Sequence, residues 1–258
     1  MQRALTATTY QRRNNVKKVL IIIPAYNEEE NIEKVVENLK NNFPQYDYVV
    51  VNDCSKDSTE QILKTKGYNY ISLPANLGIG GAVQSGYLYA AQNNYDIAIQ
   101  IDGDGQHDPA YIEKLIEPII NGEADMTIGS RFIEKKGFQT SFMRRFGIKL
   151  IKMVIRLCCG TKVTDTTSGF RATSKELTAM FAKDYAFDYP EPEAIVAASL
   201  NGFKVKDVAV EMKERDGGVS SINALRSIYY MIKVPLALII LRLGTRRKKV
   251  KKATKEGK

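Results

Sequence analysis

Along the first 130 positions, apolar residues alternate between short continuous runs and a helical period. Val19 to Ile23 is a β-branched and aliphatic run stopped by Pro24, and after Glu28 the apolar positions Ile32, Val35, Val36 and Leu39 fall on one helical face. The pattern predicts strand, loop, helix. The same unit recurs with a strand at Tyr48 to Val51 and a helix around Gln61 to Lys64, then with Tyr70 to Leu73, a Gly-rich turn and a helix from about Ala82. Ile97 to Ile101 follows as a strand, then a helix holding Tyr111, Ile112, Leu115 and Ile116, and Met126 to Ile128 ends the series. Apolar strands at this spacing, separated by helices, predict a parallel sheet covered on both faces. In such sheets ligands sit at the carboxyl ends of the strands, so the loops at 24–28, 52–57 and 102–108 form the walls of one site.

After Arg131 the alternation breaks. The pattern gives a helix from Phe142 to Leu157, a loop ending in Ser168-Gly169-Phe170-Arg171, helices near 174–182 and 191–200, and a last strand from Phe203 to Val210. Residues 222–241 are mostly apolar but interrupted by Arg226, Lys233 and Pro235, and the unbroken run Val234 to Leu241 is far short of the roughly 20 residues that span a bilayer. Two expectations stand for this segment: a helix lying in the membrane interface, and a terminal helix packed on the core. The resulting division is a basic tail over 1–18, one catalytic-size domain over 19–221, an amphipathic segment over 222–241 and a second basic tail over 242–258. A chain of 258 residues with 44% hydrophobic content can bury one such core.

Charge refines the choice of partner. The chain carries a formal net charge of +9, but residues 1–18 hold five Lys/Arg and no acid, and residues 242–258 hold nine Lys/Arg and one Glu, leaving the body slightly acidic. A nucleic-acid-reading surface needs its cations arrayed on the fold, so no nucleic-acid partner is expected; basic tails fit a polyanionic membrane surface better. Cys158 and Cys159 are adjacent in an apolar stretch, too close for ordinary bridging, and read as core residues of a reducing compartment. No apolar run precedes Val19, so no signal peptide is expected and the reading is cytoplasmic, peripheral to the inner face of the membrane.

Candidate chemistry centres on Asp102-Gly103-Asp104, which ends an apolar strand. Two carboxylates there repel each other unless a cation lies between them, and Mg²⁺ or Mn²⁺ shared with a diphosphate resolves the repulsion with oxygen ligands. His107 is the sole histidine, which excludes a His-based triad or a multi-His metal site, and its loop position suggests packing or capping. Gly78-x-Gly80-Gly81 lacks the spacing of a dinucleotide fingerprint and reads as a tight turn into a packed helix. Asp53 and Asp57 have a bland alternative as caps of the helix that follows, as do Ser55 and Ser58.

Seven segments carry a resemblance. They are Ile23-Pro24-Ala25-Tyr26-Asn27-Glu28, Val51 to Thr59, Asn76 to Ala82, Asp102 to His107, Gly129-Ser130-Arg131-Phe132, Thr167 to Arg171, and Arg215-Asp216-Gly217-Gly218-Val219-Ser220-Ser221. In this order, over roughly 19–221, the chain resembles family 2 glycosyltransferases, and among them the dolichyl- or polyprenyl-phosphate sugar synthases. The resemblance implies an α/β fold of GT-A type, a Rossmann-like, mostly parallel sheet with helices on both faces and a C-terminal amphipathic helical segment. It implies that Pro24, Tyr26, Glu28, Asp53 and Asp102 line a nucleotide pocket, that Asp102, Asp104 and Gln106 serve the metal, and that Arg131, Arg145 and Arg215 form an acceptor-phosphate cluster suited to guanidinium forks.

The expected reaction is a single displacement, inverting at the anomeric carbon, from a UDP- or GDP-sugar to polyprenyl phosphate, with Asp104 at the catalytic centre. A phosphate acceptor is already ionised near neutral pH; a hydroxyl acceptor in surface polysaccharide synthesis, the alternative, needs a carboxylate base, for which Asp165, Glu191 and Glu193 are candidates. A non-catalytic nucleotide-sugar-binding module is disfavoured by the intact Asp102, Asp104 and Gln106. A sugar nucleotidyltransferase is disfavoured by Pro24 to Glu28, which replaces the Gly-rich basic loop that chemistry needs.

Overall fold

The computed structural model describes residues 17–133, 142–212 and 232–245, except for the side chains of 142–146. Seven strands form one sheet: β1 (Val19–Ala25), β2 (Asp47–Asn52), β3 (Tyr70–Ser72), β4 (Ile97–Gln100), β5 (Met126–Ser130), β6 (Arg171–Ser174) and β7 (Val205–Ala209), in the order β3-β2-β1-β4-β6-β5-β7. All neighbours pair in parallel except β6, which runs antiparallel to both β4 and β5. The sequence pattern reads β6 as the end of a loop. Its four residues, Arg-Ala-Thr-Ser, are all buried but mostly polar, so no apolar run marks them as a central strand.

The helices are α1 (Ile32–Asn42), α2 (Thr59–Thr65), α3 (Gly78–Gln92), α4 (Ile112–Ile120), α5 (Phe142–Cys159), α6 (Lys175–Phe181), α7 (Pro190–Leu200) and α8 (residues 232–245). Successive β1 residues feed opposite faces of the sheet. Leu20 and Ile22 join a core with α3, α5, α6, α7 and α8, while Val19, Ile21 and Ile23 join a second core with α1, α2 and α4. This two-sided burial explains why β1 reads as a continuous apolar run instead of an alternating one. The expected α/β layering with a mostly parallel sheet is therefore present.

One helix start differs from the pattern. α3 begins at Gly78 and not near Ala82, because the glycines form its first turn: Gly80 lies so close to the loop before α7 that a Cβ would fall 2.1 Å from the Ala186 carbonyl oxygen. Gly86 packs on β1, where a Cβ would fall 2.2 Å from Ile22 Cγ2. The helix is seated by the absence of side chains. In the C-terminal segment, 222–231 lie outside the described residues, and α8 packs Val234 and Leu238, both fully buried, while Ile232, Leu236, Ile239, Ile240 and Leu243 are exposed. No helix among the described residues is long and apolar enough to cross a membrane.

Candidate active site

Parallel pairing of β3, β2, β1 and β4 brings their carboxyl ends to one edge, and the loops leaving that edge are stitched together by side chains from the sequence motifs. Asn27, held at φ 55°, donates its amide to Ser55 Oγ at 3.0 Å and accepts from the Lys56 amide at 2.8 Å, tying the β1 loop to the β2 loop. Asp57 accepts from the amide and hydroxyl of Thr59 at 3.0 and 2.6 Å and from the Glu29 amide at 3.1 Å. It caps α2 and fastens the neighbouring loop. Partial burial raises the Asp57 carboxyl, but these hydrogen bonds outweigh it and hold the group below its ordinary value. Ser58, the residue before α2, makes no side-chain cap.

Asp53 stands at the end of β2, almost fully buried, its amide bound to the Ala25 carbonyl and its Oδ1 accepting the Leu77 amide at 2.7 Å. This one residue, just beyond β2, thereby positions the end of β1 and the start of α3. Pro24 is buried in β1, Tyr26 lies exposed just beyond it, and Glu28 takes a hydrogen bond from Asn31 at 3.1 Å. A cavity of about 310 Å³ opens at these loops, but Glu28, Glu29, Glu30 and Asp57 are among its lining, a field that repels a diphosphate.

The Asp102–Asp104 segment follows β4. Gly103 lies under the end of β1, where an added Cβ would sit 3.2 Å from the Pro24 carbonyl oxygen and 3.6 Å from Glu28 Cγ. Asp102 Oδ1 accepts from Gln100 Nε2 at 2.9 Å, and its amide donates to His107 Nδ1 at 3.0 Å. With Nδ1 accepting, that tautomer carries its proton on Nε2, which lies 3.7 Å from Asp102 Oδ2. His107 is buried and stacked on Phe170 with ring centroids 5.1 Å apart. It therefore orients Asp102. Asp104 Oδ1 accepts the Gln106 amide at 3.1 Å across a turn whose Gly105 has φ 77°. Among the described residues no group of three or more His, Cys, Asp and Glu is arranged to hold a metal ion. The donor set is two carboxylates and an amide, all oxygen, which suits a hard cation that completes its shell with substrate phosphate and water.

The opposite wall comes from the segment entering β6. Gly169 abuts Asp102, so that a Cβ there would lie 2.8 Å from both carboxylate oxygens and from Gln100 Nε2. Arg171 is fully buried; its Nε donates to the Ser168 carbonyl at 2.6 Å and one terminal nitrogen to the Glu191 carbonyl at 2.7 Å, while its other terminal nitrogen has no partner. The Phe187 carbonyl accepts the Gly80 amide at 3.2 Å. These contacts close into a ring running from Asp53 through Leu77 and Gly80, Phe187 and Glu191, Arg171 and Gly169, Asp102 and Gly103, and back to β1.

Arg131, Asp165, Glu191 and Glu193 are the other candidates among the described residues. Arg131 follows β5 and grips Asp165 with Nε and a terminal nitrogen at 2.8 and 3.2 Å, with Thr167 Oγ1 at 3.3 Å. Asp165 is fully buried and Arg131 nearly so. Glu191 and Glu193 lie in the first turn of α7. Burial and the Asp188 carboxylate push Glu193 above its ordinary value, partly offset by Lys233, which itself pairs with Asp188. Arg145 lies on α5, its side chain outside those described, and Arg215 lies outside the described residues. Residue order assigns neither Gln100 and Gly169 a place at the Asp102 carboxylate nor Arg171 one in the wall, because a glycine's closeness to a carboxylate and an arginine's burial leave no mark in it.

The model of the family described as Glycosyl transferase family 2 matches residues 20–180. A UDP-N-acetylglucosamine–dolichyl-phosphate N-acetylglucosaminyltransferase of Methanococcus voltae is 34% identical over 216 residues, covering 76% of this chain and 85% of that protein. A polyprenol monophosphomannose synthase of Mycolicibacterium smegmatis is 29% identical over 231 residues, covering 84% and 86%. Among solved structures, glucosyl-3-phosphoglycerate synthase from Mycobacterium tuberculosis, crystallised with Mn²⁺, UDP-glucose and phosphoglyceric acid, superposes with a TM-score of 0.67 at 20% identity over 89% of this chain and 80% of that one, a likeness of fold. With its Asp102–Asp104 segment at the carboxyl end of β4 and the family model spanning most of the sheet, the chain belongs to glycosyltransferase family 2.

Proposed function

We propose that this glycosyltransferase moves a sugar from a UDP- or GDP-sugar to polyprenyl phosphate at a membrane surface, with inversion at the anomeric carbon. The observation that carries the reading is the ring of contacts that fixes Asp53 and Asp102 at one edge of the sheet, with Asp104 held beside it by the Gln106 amide, where an α/β fold takes its ligand. Polyprenyl- and dolichyl-phosphate acceptors in the names of the relatives support the acceptor class. Asp53, Pro24, Tyr26 and Glu28 are assigned to the nucleotide, and Asp102, Asp104 and Gln106 to a divalent cation. Bound there, Mg²⁺ or Mn²⁺ neutralises charge developing on the leaving diphosphate.

The protein's own contribution is orientation. Gln100, His107 and Gly169 hold Asp102 on three sides, and the Gln106 amide holds Asp104, so the acceptor oxygen and the leaving group meet a prearranged frame. Arg131 is assigned to the acceptor phosphate together with Arg145 and Arg215, and Asp165 to holding Arg131 in place, since a fully buried, ion-paired carboxylate is badly placed to take a proton from substrate. Glu193 remains the candidate base for a hydroxyl acceptor, because its upward shift raises its basicity.

The test is release of nucleoside diphosphate from a panel of UDP- and GDP-sugars, with and without a short polyprenyl phosphate, for the wild type and Asp104→Ala. Stimulation by the lipid phosphate and its loss in the variant are expected. Turnover only with a saccharide acceptor, abolished by Glu193→Gln, would transfer the assignment to the polysaccharide reading.

A further inference from the structure

The segment joining α5 to β6, residues 160–170, is buried at Val163, Asp165, Thr166, Ser168 and Phe170 yet belongs to no helix or strand. Its backbone donors therefore need side-chain partners. Two acids supply them. Asp165 accepts the Thr167 amide at 3.2 Å. Asp207, on β7, accepts both the amide and the hydroxyl of Thr164 on its Oδ2, the hydroxyl at 2.7 Å. The other oxygen of Asp207, Oδ1, is buried and has no hydrogen-bond partner among the described residues. Burial, with the Asp165 carboxylate adding to it, pushes Asp207 above its ordinary value, and the Thr164 bonds and Lys152 offset only part of this. Stability alone does not favour an acid in that setting.

The hydrogen bonds beyond Thr164 run in one direction. Because the Thr164 hydroxyl gives its proton to Asp207, its oxygen can only accept from Ser130 Oγ, 2.7 Å away. Ser130 Oγ, its own proton so committed, accepts the Phe132 amide at 3.2 Å. Ser130 and Phe132 stand on either side of Arg131 in the chain, and Thr164 directly precedes Asp165. One carboxylate oxygen thus anchors the backbone that carries each half of the Arg131–Asp165 pair. Strand register places it there: in the parallel pairing of β7 with β5, Asp207 lies opposite Ile128 and Ala209 opposite Ser130. The pair itself is a fork, with Nε and a terminal nitrogen of Arg131 at 2.8 and 3.2 Å from the two Asp165 oxygens. Two parallel bonds of that kind are skewed by a shift of either backbone.

We infer that Asp207 is the positioning residue of the acceptor-phosphate grip, holding Arg131 and Asp165 in register through Thr164 and Ser130. The inference rests on the assignment of Arg131 to the acceptor phosphate and adds a residue of β7 to it. The full chain is to be compared as wild type, Asp207→Ala, Asp207→Asn and Thr164→Val, and with both charges of the pair removed together in Arg131→Met/Asp165→Asn. Two readouts serve: KM for a short polyprenyl phosphate against KM for the nucleotide-sugar, and protection of the Arg131 Nε–H from solvent exchange, followed by NMR. Asp207→Ala and Thr164→Val are expected to raise the acceptor KM about tenfold, with the donor KM within about twofold and the Nε–H protection lost, since a displacement of about 1 Å can cost ~100-fold. Asp207→Asn, which keeps an acceptor for Thr164, should recover most of the loss. In the pairless background Asp207→Ala should raise the acceptor KM no further. Thr164→Val leaves the loop amide on Asp207, so the relay stays open to refutation even where Asp207→Ala does not fold. An Asp207→Ala protein that melts lower but keeps the wild-type acceptor KM and a protected Nε–H would overturn the relay. So would an equal rise in donor KM, or a further rise in the pairless background. A wild-type acceptor KM in the pairless variant, with Nε–H protection lost in Asp207→Ala, would leave the relay standing and refute the phosphate assignment of Arg131 instead.

Discussion

Gly169→Ala tests whether the fixed position of Asp102 is what the surrounding contacts serve. The added methyl carbon would lie 2.8 Å from both Asp102 oxygens and from Gln100 Nε2, whereas ordinary contact begins at 3.4 Å. The carboxylate and the amide must therefore retreat by about 0.6 Å, and both are ends of side chains that can do so without moving backbone. The stability loss is limited to weakening the 2.9 Å Gln100–Asp102 hydrogen bond, about 0.5–1.5 kcal/mol, or a fall in Tm of about 1–6 °C at this chain length. Catalysis is more sensitive. Since a misplacement of about 1 Å can cost ~100-fold, kcat/KM is expected to drop about 10- to 100-fold, roughly 1.4–2.7 kcal/mol of transition-state stabilisation, with a higher Mn²⁺ concentration for half-maximal rate. Thermal melting and steady-state release of nucleoside diphosphate measure the two effects separately. A variant with kcat/KM within threefold of wild type and an unchanged metal response would refute the reasoning, and so would a Tm loss above about 15 °C, which would mean the backbone had moved.

Four further outcomes follow from the same geometry. Gly80→Ala places a Cβ within 2.6 Å of three backbone atoms of Ala186 and Phe187, so a loss of about 1–3 kcal/mol is expected; a denaturant midpoint equal to wild type would show that α3 is not seated by that contact. Asp53→Asn keeps an acceptor for the Leu77 amide and should preserve Tm while raising KM for the donor, whereas Asp53→Ala should lose both; equal melting of the two variants would remove the structural half of that residue's role. Glu193 is an acid raised in the folded state, so its contribution to stability is fully present below its unfolded value near 4.5 and is lost as pH rises through the higher folded value. Relative to Glu193→Gln, the wild type should therefore melt progressively lower as pH rises across that window, and parallel Tm curves would contradict it. Chelation of divalent cations should abolish turnover, and Mg²⁺ or Mn²⁺ should restore it in wild type but not in Asp104→Ala; full activity in excess chelator would defeat the metal assignment.

Much of the site edge built by β1, β2 and β4 was legible because each element left a local mark. β1, β2 and β4 announce themselves as apolar runs, and the polar residues that break them at Asn27, Asp53 and Asp102 are where the loops of the site begin. Asp57 shows the limit of such reading: beside Asp53 in sequence and equally acidic, it is distinguished only by the three hydrogen bonds that make it a cap. The far wall was not legible. β6 is short and polar, Arg171 looks like a surface residue until its burial is known, and the pairing of Arg131 with Asp165 joins positions 34 apart on either side of α5, which residue order alone does not bring together. The dual character of α8 was visible only as two competing expectations, because a stripe that packs inward and a stripe that remains exposed are both written in the same aliphatic residues.

The reversed strand β6 also sets the order in which the chain can complete itself. β1 to β4 find their parallel partners among themselves, so a sheet of four strands with α1, α2 and α3 packed on it is available once Gln100 has been made. β5 has no such option, for its two neighbours are β6 and β7, both later in the chain. During synthesis β5 must wait as an unpaired apolar strand, and the exposed edge of β4 with it, until Arg171–Ser174 emerges and slots between them. The insertion of β6 is the same step that carries Gly169 against Asp102, so the nascent protein joins β5 to the first four strands and brings Gly169 to its place in a single event, with β7 adding at the edge afterwards.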